Sequence, residues 1–368
     1  MDGKFANEKP ELMEVSFIKS LKVLDLSTVL AGPSVGTFFA ELGAQVLKIE
    51  NTTIPDVTRS WKLPSENQNY TVSAYFSSVN YRKEYLQLNL KLEADYLQFI
   101  DLVKDADILI SNFKFGDEAK LKLTDEHLRA INKNLIIGKI NGFGSDSDRV
   151  AYDLILQAES GFMSMNGTTE SGPVKMPVAF IDVLAAHQLK EGLLLALLER
   201  KINDCAKTIE VSLYDAAICS LVNQASNYLM AQKIPERIGS LHPNIAPYGE
   251  IFETKDKELI TFAIGSTVHF EKLCSFLSLE NLVTDSRFSS NQNRVINRKL
   301  LFEIVQAKIV DFKADEILNY MLQQHVPAGK IKNLEAVFAE KTAQDLVRSE
   351  LIEDIDTKRL TSIAFKWK

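Results

Sequence analysis

Three places in the chain bring together residue types that can do chemistry. Asp182 closes the apolar run Val178-Ala179-Phe180-Ile181 and stands before a long apolar-rich stretch. A carboxylate at the carboxyl end of a strand would face the cleft where such sheets bind ligands. The same residue is also placed to cap the helix that follows. The segment Ser27-Thr28-Val29-Leu30-Ala31-Gly32-Pro33-Ser34 joins a strand to a helix. Free N–H groups at a helix start suit an anion or a thioester oxygen. The segment is not G-x-G-x-x-G, so nicotinamide binding is not expected, although Glu50 stands where a ribose-binding acid would fall. Tyr152-Asp153 opens a third segment, where Asp153 suits the first turn of a helix. Lys83 and the lysines between Lys114 and Lys122 add local cations. The five histidines are scattered, HExxH is absent, and nothing has metal-ligand spacing, so no metal site is expected.

Apolar periodicity supplies the elements that hold these residues. Val23 to Leu26 reads as a strand. Val35, Phe38, Phe39 and Leu42 fall on one helical face, with Gly43 as its C-cap, and Ala44 to Ile49 is the next strand. Leu97, Ile100 and Val103 predict a helix before the strand Ile108–Ile110. Thr124 caps another helix, and Leu135 to Ile140 is a further strand. A helix is expected from Tyr152 to Gly161, a short strand over Val178–Ile181, and a long helix over Leu184–Arg200. A strand over Thr208–Leu213 and a helix over Tyr214–Met230 complete the alternation. Strands alternating with helices imply an α/β fold with a mostly parallel sheet, binding ligands at the carboxyl ends of its strands. Residues 18–230 are assigned to this large Rossmann-like domain, with a return segment at 328–368. Residues 231–247 read as a proline-containing linker. Residues 248–327, with a hairpin around Lys255–Glu258 followed by helices, form a smaller α+β domain.

Composition narrows the function classes. The 368 residues are 46% hydrophobic and 25% charged with a net charge of -7. No basic tract points to nucleic acid or to an anionic membrane, and no apolar stretch reaches the ~20 residues of a membrane span. Residues 1–17 are charged and read as a short lead-in without an apolar signal core. Cys205, Cys219 and Cys274 form no CxxC pair, and a cytoplasmic location is expected.

Eight segments occur in an order and spacing that resembles the family III CoA-transferases, the group of formyl-CoA transferase, carnitine CoA-transferase and α-methylacyl-CoA racemase. They are VLDLSTVLAGPSVGTFFAELGAQVLKIE with PDVTR, NYRKEYLQLNLK, DADILISNFKFG, AYDLILQAESGFMSMNG, PVAFIDV with ALLER, KTIEVSLYDA, HPNIAPYGEIF and VPAGKI. The resemblance covers about residues 20 to 340. It implies an interlocked homodimer of Rossmann-like chains that moves CoA from an acyl-CoA donor to a small carboxylic acid, with no permanently bound cofactor. Asp182 matches the family's nucleophile, which passes through an aspartyl anhydride and an aspartyl-CoA thioester.

The resemblance also places CoA contacts at Ala31, Lys83, Asn112, Phe113, Lys120, Leu121 and Tyr152. Arg59, Asp153 and Gly265 are expected in supporting roles. Lys120 stands where arginine is common, and Asn51 where formyl-CoA transferase has a nucleotide-binding arginine. The glycine-rich lid of that enzyme has no counterpart beyond Gly265-Ser266-Thr267. The racemase branch has a histidine at the position of Tyr152, and a tyrosine, with an ordinary pKa near 10, is a poor base for an α-proton. Transfer is therefore expected. The alternatives are an acyl-CoA racemase or epimerase of the same fold and a non-catalytic CoA-binding protein.

Overall fold

A computed structural model describes residues 15–366; the first fourteen residues of the expected lead-in lie outside them. Six strands form one sheet: β1 (Lys22–Asp25), β2 (Gln45–Glu50), β3 (Glu84–Gln87), β4 (Ile108–Ser111), β5 (Ile136–Asn141) and β6 (Thr208–Ser212). All pairs are parallel, in the order β3-β2-β1-β4-β5-β6. Successive strand side chains point to opposite faces, and apolar residues occupy both. Val23, Ile108 and Ile136 pack with Phe39, Leu189 and Leu193 on one face. Leu24, Leu109 and Ile137 pack with Phe99, Val103 and Leu128 on the other. Helices Ala31–Glu41 and Phe180–Asn203 thus cover the first face, and Glu93–Lys104 and Asp125–Ile131 the second. A sheet covered on both sides explains the near-continuous apolar runs of its central strands. Each fully buried Leu, Val, Ile or Phe contributes about 1.5–3 kcal/mol.

The local signals hold at several boundaries. Gly43 follows the first helix with φ +102, and Thr124 accepts a hydrogen bond from the His127 N–H. The expected strand over Val178–Ile181 does not form. The helix begins at Phe180 instead, with Ala179 as its N-cap residue. Ile181, Ala185 and Leu189 are buried four residues apart, and this helical spacing overrides the strand-like composition. Asp182 therefore sits in the first turn of the helix and not at a strand end. The expected helix over Tyr214–Met230 is two helices, Leu213–Cys219 and Val222–Ala231, broken where Val222 has φ +43. β3 carried no expectation: it is a four-residue edge strand without a fully buried side chain.

Contacts divide the chain into two compact units. The first holds residues up to Met163, Lys175–Ile234 and the chain from Asp345; the second holds Ser164–Val174 and Pro235–Gln344. The second unit has an antiparallel sheet of β7 (Tyr248–Glu253), β8 (Leu259–Ala263) and β9 (Ala328–Lys330), with a core that includes Phe252, Phe262, Phe270 and Phe288. The return to the first unit comes at 345 and not at 328, because β9 completes the small sheet by pairing with β8. Most of the expected linker also belongs to the second unit, where Gly239 N donates to Gly167 O at 2.8 Å. The returning chain forms a hairpin, β10 (Val347–Ile352) and β11 (Ile355–Leu360). Arg359 anchors it to Glu41 at 2.9 Å.

Candidate active site

The site is built where the strand order reverses, between β1 and β4. Loops diverge at such a switch point and leave a crevice at the carboxyl ends of the strands. Two loops meet across it. Asn112, just after β4, accepts from Thr28 N at 3.0 Å and donates to Thr28 O at 2.9 Å. Its side chain thus fixes the turn after β1 from one side. Val29, at φ +73, is fixed from the other side by the Asp56 carboxylate, 3.2 Å from its N–H. The helix that follows starts at Ala31 without a side-chain cap. Among the described residues no acceptor faces the N–H groups of Leu30 and Ala31. These donors remain available to an oxygen of a ligand.

A cavity of about 200 Å³ lies beside this turn, and its wall includes Leu30, Ala31, Asn112, Phe113, Tyr152 and Asp182. A larger one, about 420 Å³, shares Thr28 and Phe113 with it and reaches Lys120 and Leu121. Five of the expected CoA contacts, Ala31, Asn112, Phe113, Lys120 and Leu121, are brought to this pair of cavities, and Tyr152 stands at the smaller one with Asp182. Gly142 lines the same cavity at a point where an added Cβ would meet Ala151 Cβ at 2.3 Å.

Asp182 is 7% exposed and has no hydrogen bond or ion pair among the described residues. It does not cap its own helix. Burial, and then the nearby Asp153 carboxylate, push its pKa from 3.8 up to about 7. Asp153 carries the capping duty: its Oδ1 accepts from Ile181 N at 2.7 Å and its Oδ2 from Gln157 Nε2 at 2.5 Å. The Gln157 carbonyl oxygen in turn accepts from Met176 N at 2.7 Å. The entry to the Asp182 helix is thus held by its neighbour, leaving the Asp182 carboxylate open to the cavity.

Lys83 is not brought to the site. It is buried and bonded to Asp25 Oδ2 at 2.7 Å, Asn80 Oδ1 at 2.9 Å and the carbonyls of Pro33 and Val79. Burial lowers its pKa to about 8 despite Asp25. A phosphate contact would require it to leave four acceptors. Arg59 also lies off the cavity walls, with Nη2 on Glu50 at 2.6 Å and its guanidinium 3.9 Å from the Phe76 ring centre. Gly265 follows β8 in the second unit, where an added Cβ would meet nothing within 4 Å. Lys120 keeps a solvent-exposed pair with Asp117 at 2.8 Å. Sequence reasoning missed Tyr75 and Trp61. Burial, then the Asp182, Asp153 and Asp56 charges, push the Tyr75 phenol up to about 12. Trp61 packs edge-on to Tyr75 at 5.2 Å and lies 6.5 Å from Tyr152. Asp56 and Lys48 were missed too, since nothing in their spacing marks them. No cluster among the described residues has the donors for a metal ion. No described helix is long and apolar enough to cross a membrane.

Fold and site together define a doubly wound α/β protein with two neighbouring cavities at its switch point and, on the smaller one, a carboxylate without a partner among the described residues. The chain belongs to CoA-transferase family III, whose family model matches residues 18–367. It is 33% identical over 345 residues to a succinate–glutarate CoA-transferase of Agrobacterium fabrum, covering 92% of this chain and 84% of that one. Identity is 32% to the succinyl-CoA:glutarate CoA-transferase of Mus musculus, over 88% of this chain and 74% of that protein. A crystal structure of a CaiB/BaiF family protein from Brucella suis superposes with a TM-score of 0.80 at 33% identity, covering 95% of this chain and 92% of that one. The reaction is therefore transfer of CoA between an acyl-CoA and a carboxylic acid.

Proposed function

We propose that Asp182 is the covalent nucleophile of this transfer. The observation that carries the reading is a buried carboxylate with no partner among the described residues, on the wall of a cavity also lined by Leu30 and Ala31. The ionised carboxylate attacks the donor thioester carbonyl, the C–S bond breaks, and CoA leaves as its thiolate from a mixed anhydride. The thiolate then attacks the Asp182 carbonyl, releasing the donor acid as a carboxylate and leaving an aspartyl-CoA thioester. The acceptor carboxylate attacks that thioester and again expels CoA thiolate. Finally the thiolate attacks the acceptor's acyl carbon, giving the new acyl-CoA and the free Asp182 carboxylate. No other energy source is needed, because each step exchanges one activated acyl bond for another. N–H donors at the turn stabilise the oxygen that gains charge at each addition.

The larger cavity accommodates the nucleotide of CoA, with Lys120 toward its phosphates, and the smaller one the thiol end beside Tyr152. Small dicarboxylic acids are the favoured acceptors and their CoA thioesters the favoured donors, since the named relatives pair succinate or succinyl-CoA with glutarate. A homodimer, interlocked as the family resemblance implies, suits the apolar side chains left on the single chain, among them Leu195 at 67% and Met230 at 88% exposure. The reading of residues 18–230 as the CoA-binding domain fits both cavities, and the free cysteines fit a cytoplasmic setting.

The test is chemical trapping. The protein is incubated with succinyl-CoA and hydroxylamine, digested and analysed by mass spectrometry. A hydroxamate at Asp182 is expected. Transfer by Asp182→Ala at more than a few per cent of the parent rate would refute the nucleophile.

A further inference from the structure

A chain of buried charges runs beneath the turn that borders the Asp182 cavity, and the proposed transfer steps do not use it. Lys48, on β2, is fully buried; its Nζ lies 2.7 Å from Ser27 O and 3.1 Å from Asp56 Oδ2. Asp56 is 1% exposed. Besides Lys48 and Val29 N, it accepts from Thr58 N at 3.1 Å and Thr58 Oγ1 at 2.7 Å. Its own N–H donates to Glu50 Oε1 at 2.9 Å, and Glu50 is gripped by Arg59. Arg59 also reaches Thr71 O and, at 3.1 Å, Glu353. A buried ion pair adds little net stability and is strongly destabilising when half of it is removed. Here its geometry has a second consequence. Asp56 bonds the N–H of Val29, a β-branched residue in the left-handed region, where a free chain rarely goes. Only one residue separates Val29 from Ala31, whose N–H belongs to the open pair at the cavity.

We infer that Asp56 is a positioning residue for CoA transfer. Seated on Lys48 and on the Glu50–Arg59 pair, it holds Val29 in its turn so that the Leu30 and Ala31 N–H groups face the reacting thioester. This rests on the reading of the Asp182 cavity as the thioester site. It gives Arg59 a role three contacts away from the turn: Arg59 fixes Glu50, Glu50 fixes Asp56, and Asp56 fixes the turn.

The experiment separates the acceptor from the charge. Asp56→Asn and Asp56→Leu are each combined with Lys48→Met, so neither protein buries an unpaired charge. The amide oxygen of asparagine can still accept from Val29 N, and leucine cannot. Turnover in the leucine protein is expected about 100-fold below the asparagine protein, the usual penalty for misplacing a catalytic group by about 1 Å. The calorimetric Kd for free CoA should differ less than about 5-fold between them, because Asp56 is 1% exposed and offers almost no surface to the larger cavity it borders. Turnover that is the same in both proteins overturns the inference. If the leucine protein melts out, Thr58→Val in the parent chain removes one hydrogen bond to Asp56. A fall in kcat of about 10-fold with unchanged Kd for CoA is then expected, and an unchanged kcat overturns the inference. Hydroxylamine trapping on the parent protein reports separately on Asp182, so the two proposals fail by different readouts.

Discussion

Replacing Asp182 by asparagine should abolish transfer and, at alkaline pH, make the protein more stable. The folded carboxyl is raised from 3.8 to about 7, and each tenfold change in proton affinity corresponds to about 1.4 kcal/mol. Ionising Asp182 inside the fold therefore costs about 4 kcal/mol more than ionising it in the unfolded chain. Its place in the first turn of the helix offsets about 0.3–1 kcal/mol of this through the helix dipole, which leaves about 3 kcal/mol. The sign follows from proton binding. Between pH 3.8 and about 7 the folded state holds the Asp182 proton more tightly than the unfolded state, so stability falls as pH rises through that window. Asparagine has no such titration.

The difference in stability, variant minus parent, should thus be near zero at pH 4, grow through pH 5 to 7, and level off by pH 8. With an unfolding entropy of about 2.1 cal/mol/K per residue, a chain of this length gains about 1.3 °C in Tm per kcal/mol. An increase of about 4 °C is expected at pH 8. Differential scanning fluorimetry of both proteins from pH 4 to 8.5, without CoA, measures it. A variant that is less stable at pH 8, or an offset that is constant across the range, would refute the argument that the Asp182 carboxylate is held against its own burial.

Three further outcomes follow from the same geometry. The rate of single-turnover acyl transfer should rise with pH through an apparent pKa of about 7, since the proposed nucleophile, Asp182, must be ionised; stopped-flow mixing with succinyl-CoA would show it, and a flat profile from pH 5 to 8 would count against it. Lys83→Met should destabilise the fold by about 3–5 kcal/mol, because Asp25 is left buried and unpaired, while CoA binds the folded fraction with unchanged Kd in calorimetry. Asn112→Ala removes both bonds to Thr28 and should weaken CoA binding by about 10-fold, a change that Lys120→Ala would match only at low salt.

The alternation of strands and helices was readable because both faces of the sheet are covered, so each central strand is an apolar run flanked by helical periodicity. The run 178–181 misled because four apolar residues look alike at the start of a buried helix and in a strand. β3 was invisible because an edge strand of four half-exposed residues has no pattern to show. Asp182, Asn112, Phe113 and Tyr152 were placed by family resemblance, and spacing alone would have left Asp182 a candidate helix cap. Lys83 shows the weakness of carrying residues over one by one: a lysine in the matching segment can face inward, and only its four acceptors reveal that. Lys48, Glu50 and Asp56 lie close in sequence, but their pairing depends on the loop after β2 folding back beside the turn after β1, and no periodicity reports that.

The raised pKa of Asp182 bears on the chemistry as well as on stability. A nucleophile must be ionised, and burial makes that form scarcer at neutral pH. In the proposed mechanism the acylated forms, anhydride and thioester, are neutral, and for them the same burial carries no ionisation cost. Asp153, whose charge disfavours a second carboxylate beside it, acts in the same direction while its oxygens hold Ile181 and Gln157. Relative to a solvated carboxylate, acylation at this site is favoured by about the 3 kcal/mol that ionisation costs, roughly a hundredfold in equilibrium. A transferase that exchanges one acyl bond for another gains from this, since its covalent intermediates must stay populated long enough for the leaving acid to be replaced by the incoming one. A fully solvated aspartate would be ionised more often, but its acylation would lack this advantage. On the proposed mechanism the pocket thus sets the Asp182 proton affinity near neutrality, where enough carboxylate exists to attack and acylation is still favoured over that of a solvated carboxylate.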